Sequence, residues 1–74
     1  MKRYLIVVEQ TTTGYSAYSP DLDGCVATGK RPKEVESQMR EAIAFHLDGM
    51  ARNGQAIAEP HSYSTHVEVP AQAH

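Results

Sequence analysis

Hydrophobic and polar positions divide this chain into three short extended runs, one long helical stripe and a last extended run. Leu5, Ile6, Val7 and Val8 are continuous apolar residues between Tyr4 and Glu9. Alternation puts Tyr4, Ile6 and Val8 on one face and Leu5 and Val7 on the other. The run therefore predicts a central strand covered on both sides. Gln10 to Gly14 is polar and ends in glycine, which predicts a hairpin loop. Tyr15 to Ser19 predicts a second strand, with its tyrosines on opposite faces because their separation is odd. Pro20 removes a backbone donor and ends that ladder. In the following turn, Asp21 and Asp23 are expected to accept backbone N–H bonds, and Gly24 is free to adopt a positive φ. Cys25 to Gly29 predicts the third strand.

Pro32 suits the first turn of a helix that runs to about Asn53. Its apolar positions, Val35, Met39, Ala42, Ile43, His46, Leu47 and Met50, follow steps of four, three, one, three, one and three, a single stripe. Glu34 and Glu36 near the start and Arg52 near the end suit the helix dipole. Asn53-Gly54 is a C-terminal stop. At 1.5 Å per residue such a helix is about 33 Å long. From Ser62 to Val69, Tyr63, Thr65, Val67 and Val69 alternate with polar residues and predict a half-buried strand.

The predicted fold is α+β in the order β-β-β-α-β. Three strands form an antiparallel meander, a fourth lies parallel to the first, and one long helix covers one face. Residues 1–70 are expected to form one domain and 71–74 a frayed tail. A single helix leaves the other face of the sheet open, and a second subunit is the expected cover. Leu5, Val7, Tyr63 and Val67 are the candidate residues of that oligomer interface.

Size sharpens this picture. A domain of 74 residues hides only about 60% of the surface its unfolded chain exposes. Cys25 is the only cysteine, so no disulfide can help. Oligomerisation is the remaining common remedy. The lone cysteine fits a reducing cytoplasm. The basic start is followed by an apolar run too short for a signal peptide, and no stretch reaches the length of a membrane span. A formal net charge of −2 excludes general electrostatic attraction to nucleic acid.

Candidate chemistry is sparse. Asp21-Leu22-Asp23-Gly24 lacks the further acidic ligands of a calcium loop, and Lys30, Arg31 and Lys33 follow instead. Turn-stabilising carboxylates are the stronger reading. A metal-dependent nuclease needs carboxylates converging on paired metals. Glu9, Glu41 and Asp48 are the available acids, but Glu41 and Asp48 fall on the polar side of the helix. His46 lies on the apolar stripe, where packing is its expected role. His61 and His66, an odd number apart, would face opposite ways on a strand, and His74 falls in the tail. Cys25 has no local base and reads as a small buried residue. No cofactor or metal site is expected. Lys2, Arg3, Lys30, Arg31 and Lys33 could form a basic rim.

The stretch Gly14-Tyr-Ser-Ala-Tyr-Ser-Pro-Asp-Leu-Asp-Gly24-Cys25-Val-Ala-Thr-Gly29 resembles the HicB antitoxin family. So does the remainder: Lys33-Glu34-Val35-Glu36, Glu41-Ala42-Ile43, His46-Leu47, Asn53-Gly54, Ile57 and Pro60. The resemblance runs from Tyr4 to Val69. It implies a partial ribonuclease-H-like fold without that fold's catalytic carboxylates. It also implies a dimer or tetramer, and the binding and neutralisation of a small HicA-type toxin that cleaves messenger RNA. Tyr18, Pro20, Asp21, Leu22, Asp23, Lys30 and Arg31 are the expected partner-binding residues. Two departures stand out. Lys30 and Arg31 replace the acidic residue and threonine common before the helix, so a side-chain cap is not expected. Many relatives continue into a C-terminal DNA-binding segment, and this chain, ending at His74, is expected to have none. The alternatives are an oligomeric interaction module without a toxin and, last, a metal-dependent nuclease.

Overall fold

A computed structural model describes residues 1–72, so Ala73 and His74, the end of the expected frayed tail, lie outside the described residues. Strands β1 (Val7–Gln10), β2 (Tyr15–Ser19) and β3 (Leu22–Gly29) form an antiparallel sheet in the order β1-β2-β3, followed by helix α1 (Pro32–Arg52). The β1–β2 loop is closed by the Thr11 amide donating to the Gly14 carbonyl at 2.8 Å. The Thr11 hydroxyl accepts the Gly14 amide at 3.0 Å. Gly14 itself is required by close approach: a Cβ there would collide with the Gly29 carbonyl and lie 3.2 Å from the Lys30 Cα.

The second turn is tighter than the sequence predicts. Ser19 pairs with Leu22 across Pro20-Asp21, whereas Tyr18 pairs with Val26. Asp23, Gly24 and Cys25 therefore bulge out of the ladder, and Gly24 takes φ +82°. The third strand begins at Leu22 rather than Cys25 because Leu22 is drawn into the core, where it is 2% exposed.

The N-cap of helix α1 is Arg31, which makes no side-chain cap bond. Glu34, in the first turn, instead accepts the Lys30 amide at 3.0 Å, a reach-back like that of a capping box. The helix ends in a Schellman motif. Gly54, at φ +70°, donates to the Ala51 carbonyl and Gln55 to that of Met50. Val35 and Met39 are fully buried against β2 and β3, with Ala17, Leu22 and Cys25 completing the core. Ile43, Leu47, Tyr4 and Ile6 pack around it.

Two expectations are corrected. β1 is an edge strand, and it starts at Val7 because β2 ends at Ser19 and offers no ladder to Leu5 and Tyr4. Its apolar residues divide between the two faces: Ile6 packs on the core, while Val7 shares the outer face with Tyr18. The fourth strand expected over Ser62–Val69, parallel to the first, is not formed. Among the described residues this segment joins no ladder. An extended run becomes a strand only with a backbone partner, and no backbone hydrogen bond links it to β1. Tyr63, Val67 and Val69 are 83%, 82% and 76% exposed.

Candidate functional site

Parity along β2 builds the first surface. Ala17 and Ser19 point to the helix and are buried, so Ser16 and Tyr18 point the other way. Val7, Tyr18 and Val26 are successive cross-strand partners and form one apolar row on the uncovered face. Tyr18 is 43% and Val26 65% exposed. The next row, Glu9, Ser16 and Thr28, is polar. A polar border beside an exposed apolar row fits an interaction surface.

The turn beside that row is held from within. The Asp21 side chain is fully withdrawn from solvent. It accepts the Ser62 hydroxyl at 2.8 Å and the His61 and Ser62 amides at 3.2 Å each. His61 Nδ1 lies 3.2 Å from the same carboxylate. Burial alone would push the Asp21 carboxyl up, but the Ser62 hydroxyl, the two amides and His61 together hold its pKa below the ordinary aspartate value. Tyr4 donates its hydroxyl to the Ala58 carbonyl at 2.5 Å. Lys2 Nζ donates to Glu59 at 2.6 Å. That hydrogen bond holds the Lys2 pKa above the ordinary lysine value, although partial burial pulls the other way. Such an exposed pair adds little stability. Ser19 is buried and donates its hydroxyl to the Leu5 carbonyl at 3.0 Å. Residues 58–62 are thus fastened across the end of the sheet.

Ser62, Asp21 and His61 include the residue types of a hydrolytic triad in the wrong arrangement. Such a triad places the imidazole between serine and carboxylate. Here the carboxylate lies between the other two, and the hydroxyl meets a weak base. Among the described residues no three His, Cys, Asp or Glu side chains gather as a metal site. Cys25 is 4% exposed, and burial raises its thiol pKa, which suppresses the reactive thiolate.

A second feature is an open groove of about 440 Å³ between the β3 bulge and the latter half of α1. Gly24, Val26, Phe45, His46 and Met50 line it, and Phe45 is 81% exposed.

The structure separates the residues singled out from the sequence. Tyr18 lies on the open face, while Pro20 and Asp23 are exposed at the adjoining turn. Asp21 is spent on the fastening and Leu22 on the core. Lys30 and Arg31 lie beyond the opposite end of β3, between the sheet and α1. Leu5 and Val7 are half-buried, whereas Tyr63 and Val67 stand on the exposed segment. Sequence reasoning missed Val26, whose place on the open face follows only once the bulge sets the register. It also missed Phe45, whose signal was an aromatic lying off the apolar stripe. Nothing local marked Asp21 and Ser62 as partners.

Comparison with known proteins places this arrangement. Residues 4–73 match the HicB-like antitoxin family of bacterial toxin–antitoxin systems. An uncharacterised 14.9 kDa protein from the rep-hol intergenic region of Haemophilus phage HP1 is 28% identical over 67 residues, covering 90% of this chain and 50% of that protein. A UPF0150 protein of Helicobacter pylori is 42% identical over 41 residues, covering 55% of this chain and 57% of that one. The chain thus spans about half the length of these curated relatives. A chain of the solved HicA3 and HicB3 toxin–antitoxin complex superposes with TM-score 0.68 at 28% identity, covering 81% of this chain and 70% of that chain. With a match across nearly all of its sequence, the chain belongs to the HicB-like antitoxin family.

Proposed function

We propose that this chain is a non-catalytic antitoxin that binds and neutralises a small HicA-type toxin that cleaves messenger RNA. The observation that carries this reading is the open apolar row Val7–Tyr18–Val26, in a fold that superposes on a chain of a toxin–antitoxin complex. The toxin docks at the Tyr18 and Val26 end of this row, with Pro20 and Asp23 at its border. Lys30 and Arg31 stand apart and form a secondary contact. A protein that acts by covering another's active site needs shape and apolar area rather than a nucleophile. The spent Asp21 and the shielded Cys25 are consistent with that. The protein acts in the cytoplasm and self-associates as a dimer or tetramer, through Leu5 and Val7 on the open face and Tyr63 and Val67 on the exposed segment.

Co-expression with the small protein encoded beside this gene tests the reading. Growth arrest by the neighbour alone, relieved by this chain and accompanied by co-purification, is expected. A neighbour that is neither toxic nor retained would sink the idea and favour an oligomeric interaction module without a toxin. Magnesium-dependent RNA cleavage by the purified chain would instead point to a nuclease.

A further inference from the structure

We propose that residues 63–69 pair as a strand along the β1 edge of a second copy of this chain. This deepens the self-association within the reading above but does not depend on a toxin. The segment has the alternation of a half-buried strand, Tyr63, Thr65, Val67 and Val69 against Ser64, His66 and Glu68. Yet its apolar side finds nothing to cover within its own chain: Tyr63 is 83% and Val67 82% exposed. Ser62 to Ser64 face Arg3 to Ile6 across an open cleft, and no backbone hydrogen bond crosses it. The molecule is correspondingly drawn out, with a radius of gyration of 15.2 Å. A compact domain of this length has about 11 Å.

The acceptor is on the same chain. A sheet of three strands has two edges, and they differ. β3 carries the Gly24 bulge and is followed by Lys30 and Arg31, devices that discourage edge pairing. Val7 to Gln10 carries no proline and no bulge, and Glu9 is its sole charge. From Tyr4 to Gln10 the extended lead-in and strand number seven residues, as do residues 63–69. Each copy thus supplies one arm and one edge of matching length, which two copies satisfy reciprocally about a two-fold axis. The fastening of His61 and Ser62 to Asp21 fixes where the arm leaves the body. What reaches the second copy is therefore an arm from a set root.

The experiment uses the full chain alone. Sedimentation should find a dimer for the native sequence. Val67→Pro, which removes a ladder donor in the middle of the arm, should self-associate at least about tenfold more weakly. Unchanged far-ultraviolet dichroism of the variant would show that α1 survives. In a mixture of isotope-labelled and unlabelled copies, nuclear Overhauser contacts between residues 63–69 of one copy and 4–10 of the other are expected. A monomeric native chain, a Val67→Pro dimer of native strength, or contacts confined within one copy would overturn the proposal. Because no toxin is in the sample, failure here leaves the antitoxin reading standing, and failure of that reading leaves this one.

Discussion

The carboxylate of Asp21 accepts the hydroxyl of Ser62 at 2.8 Å across a separation of 41 residues. This contact joins the β2–β3 turn to the chain beyond the helix. Asp21→Ala should release residues 58–62 while the sheet and helix persist. Faster proteolysis near His61 and loss of amide protection at Ser62 are the expected readouts. Asp21→Asn, which keeps a carbonyl acceptor, should retain part of the protection.

The same contact has a pH dependence of definite sign. The folded pKa of Asp21 lies below its unfolded value because the Ser62 and His61 donors outweigh burial. Its contribution is therefore present above the ordinary aspartate value of about 3.9 and is lost as pH falls through the lower folded value. The side-chain carboxyl carbon resonance of Asp21, which reports its own protonation, should titrate below the ordinary aspartate value. An Asp21 carboxyl that titrates above the ordinary aspartate value would contradict this assignment.

Tyr18→Ala should leave stability nearly unchanged, because its side chain lies on the uncovered face. If Tyr18 is a central contact of the proposed toxin interface, binding should weaken by about tenfold or more, as truncating such an aromatic costs over 1 kcal/mol. Calorimetric titration checks this, and Lys30→Ala supplies a comparison expected to cost less.

The two turn glycines should respond differently to substitution. At Gly14 an added Cβ meets the Gly29 carbonyl, so Gly14→Ala should cost about 1–3 kcal/mol whatever φ it adopts. At Gly24 nothing lies within 4 Å, and the cost comes from φ +82° alone. Gly24→Ala should cost about 1–2 kcal/mol, and Gly24→Asn less, since asparagine tolerates that region. Urea unfolding of the three variants separates the cases.

Met39→Ala should destabilise the domain by about 2–5 kcal/mol, because Met39 is fully buried between α1 and the sheet. Against a total of about 5–15 kcal/mol, that is a large share of the stability margin. A lowered urea midpoint, followed by helical dichroism, measures it.

What the sequence made legible was local. The stripe from Val35 to Met50 located α1 to within one residue of its end, because a helix is specified by its own side chains. Asn53-Gly54 announced its stop, and the absence of a cap at Arg31 was readable too. The misreadings needed distant partners. Leu5 to Val8 looked central because both its faces are apolar, but a sheet face can be apolar without a neighbouring strand. Ser62 to Val69 had a strand's pattern and no strand partner among the described residues. Asp21 and Asp23 were both expected to bind the backbone of their own turn; Asp21 instead accepts the amides of residues 61 and 62, and Asp23 is exposed at the turn. Spacing along the chain carries no trace of such a pairing.

The alternation along β2 has an evolutionary consequence. Ala17 and Ser19 are committed to the interior, while Ser16 and Tyr18 between them face outward. Substitutions can therefore accumulate at every second position of this strand without disturbing the residues that keep the chain folded. The exposed row of Val7, Tyr18 and Val26 can thus vary while the buried scaffold is inherited intact.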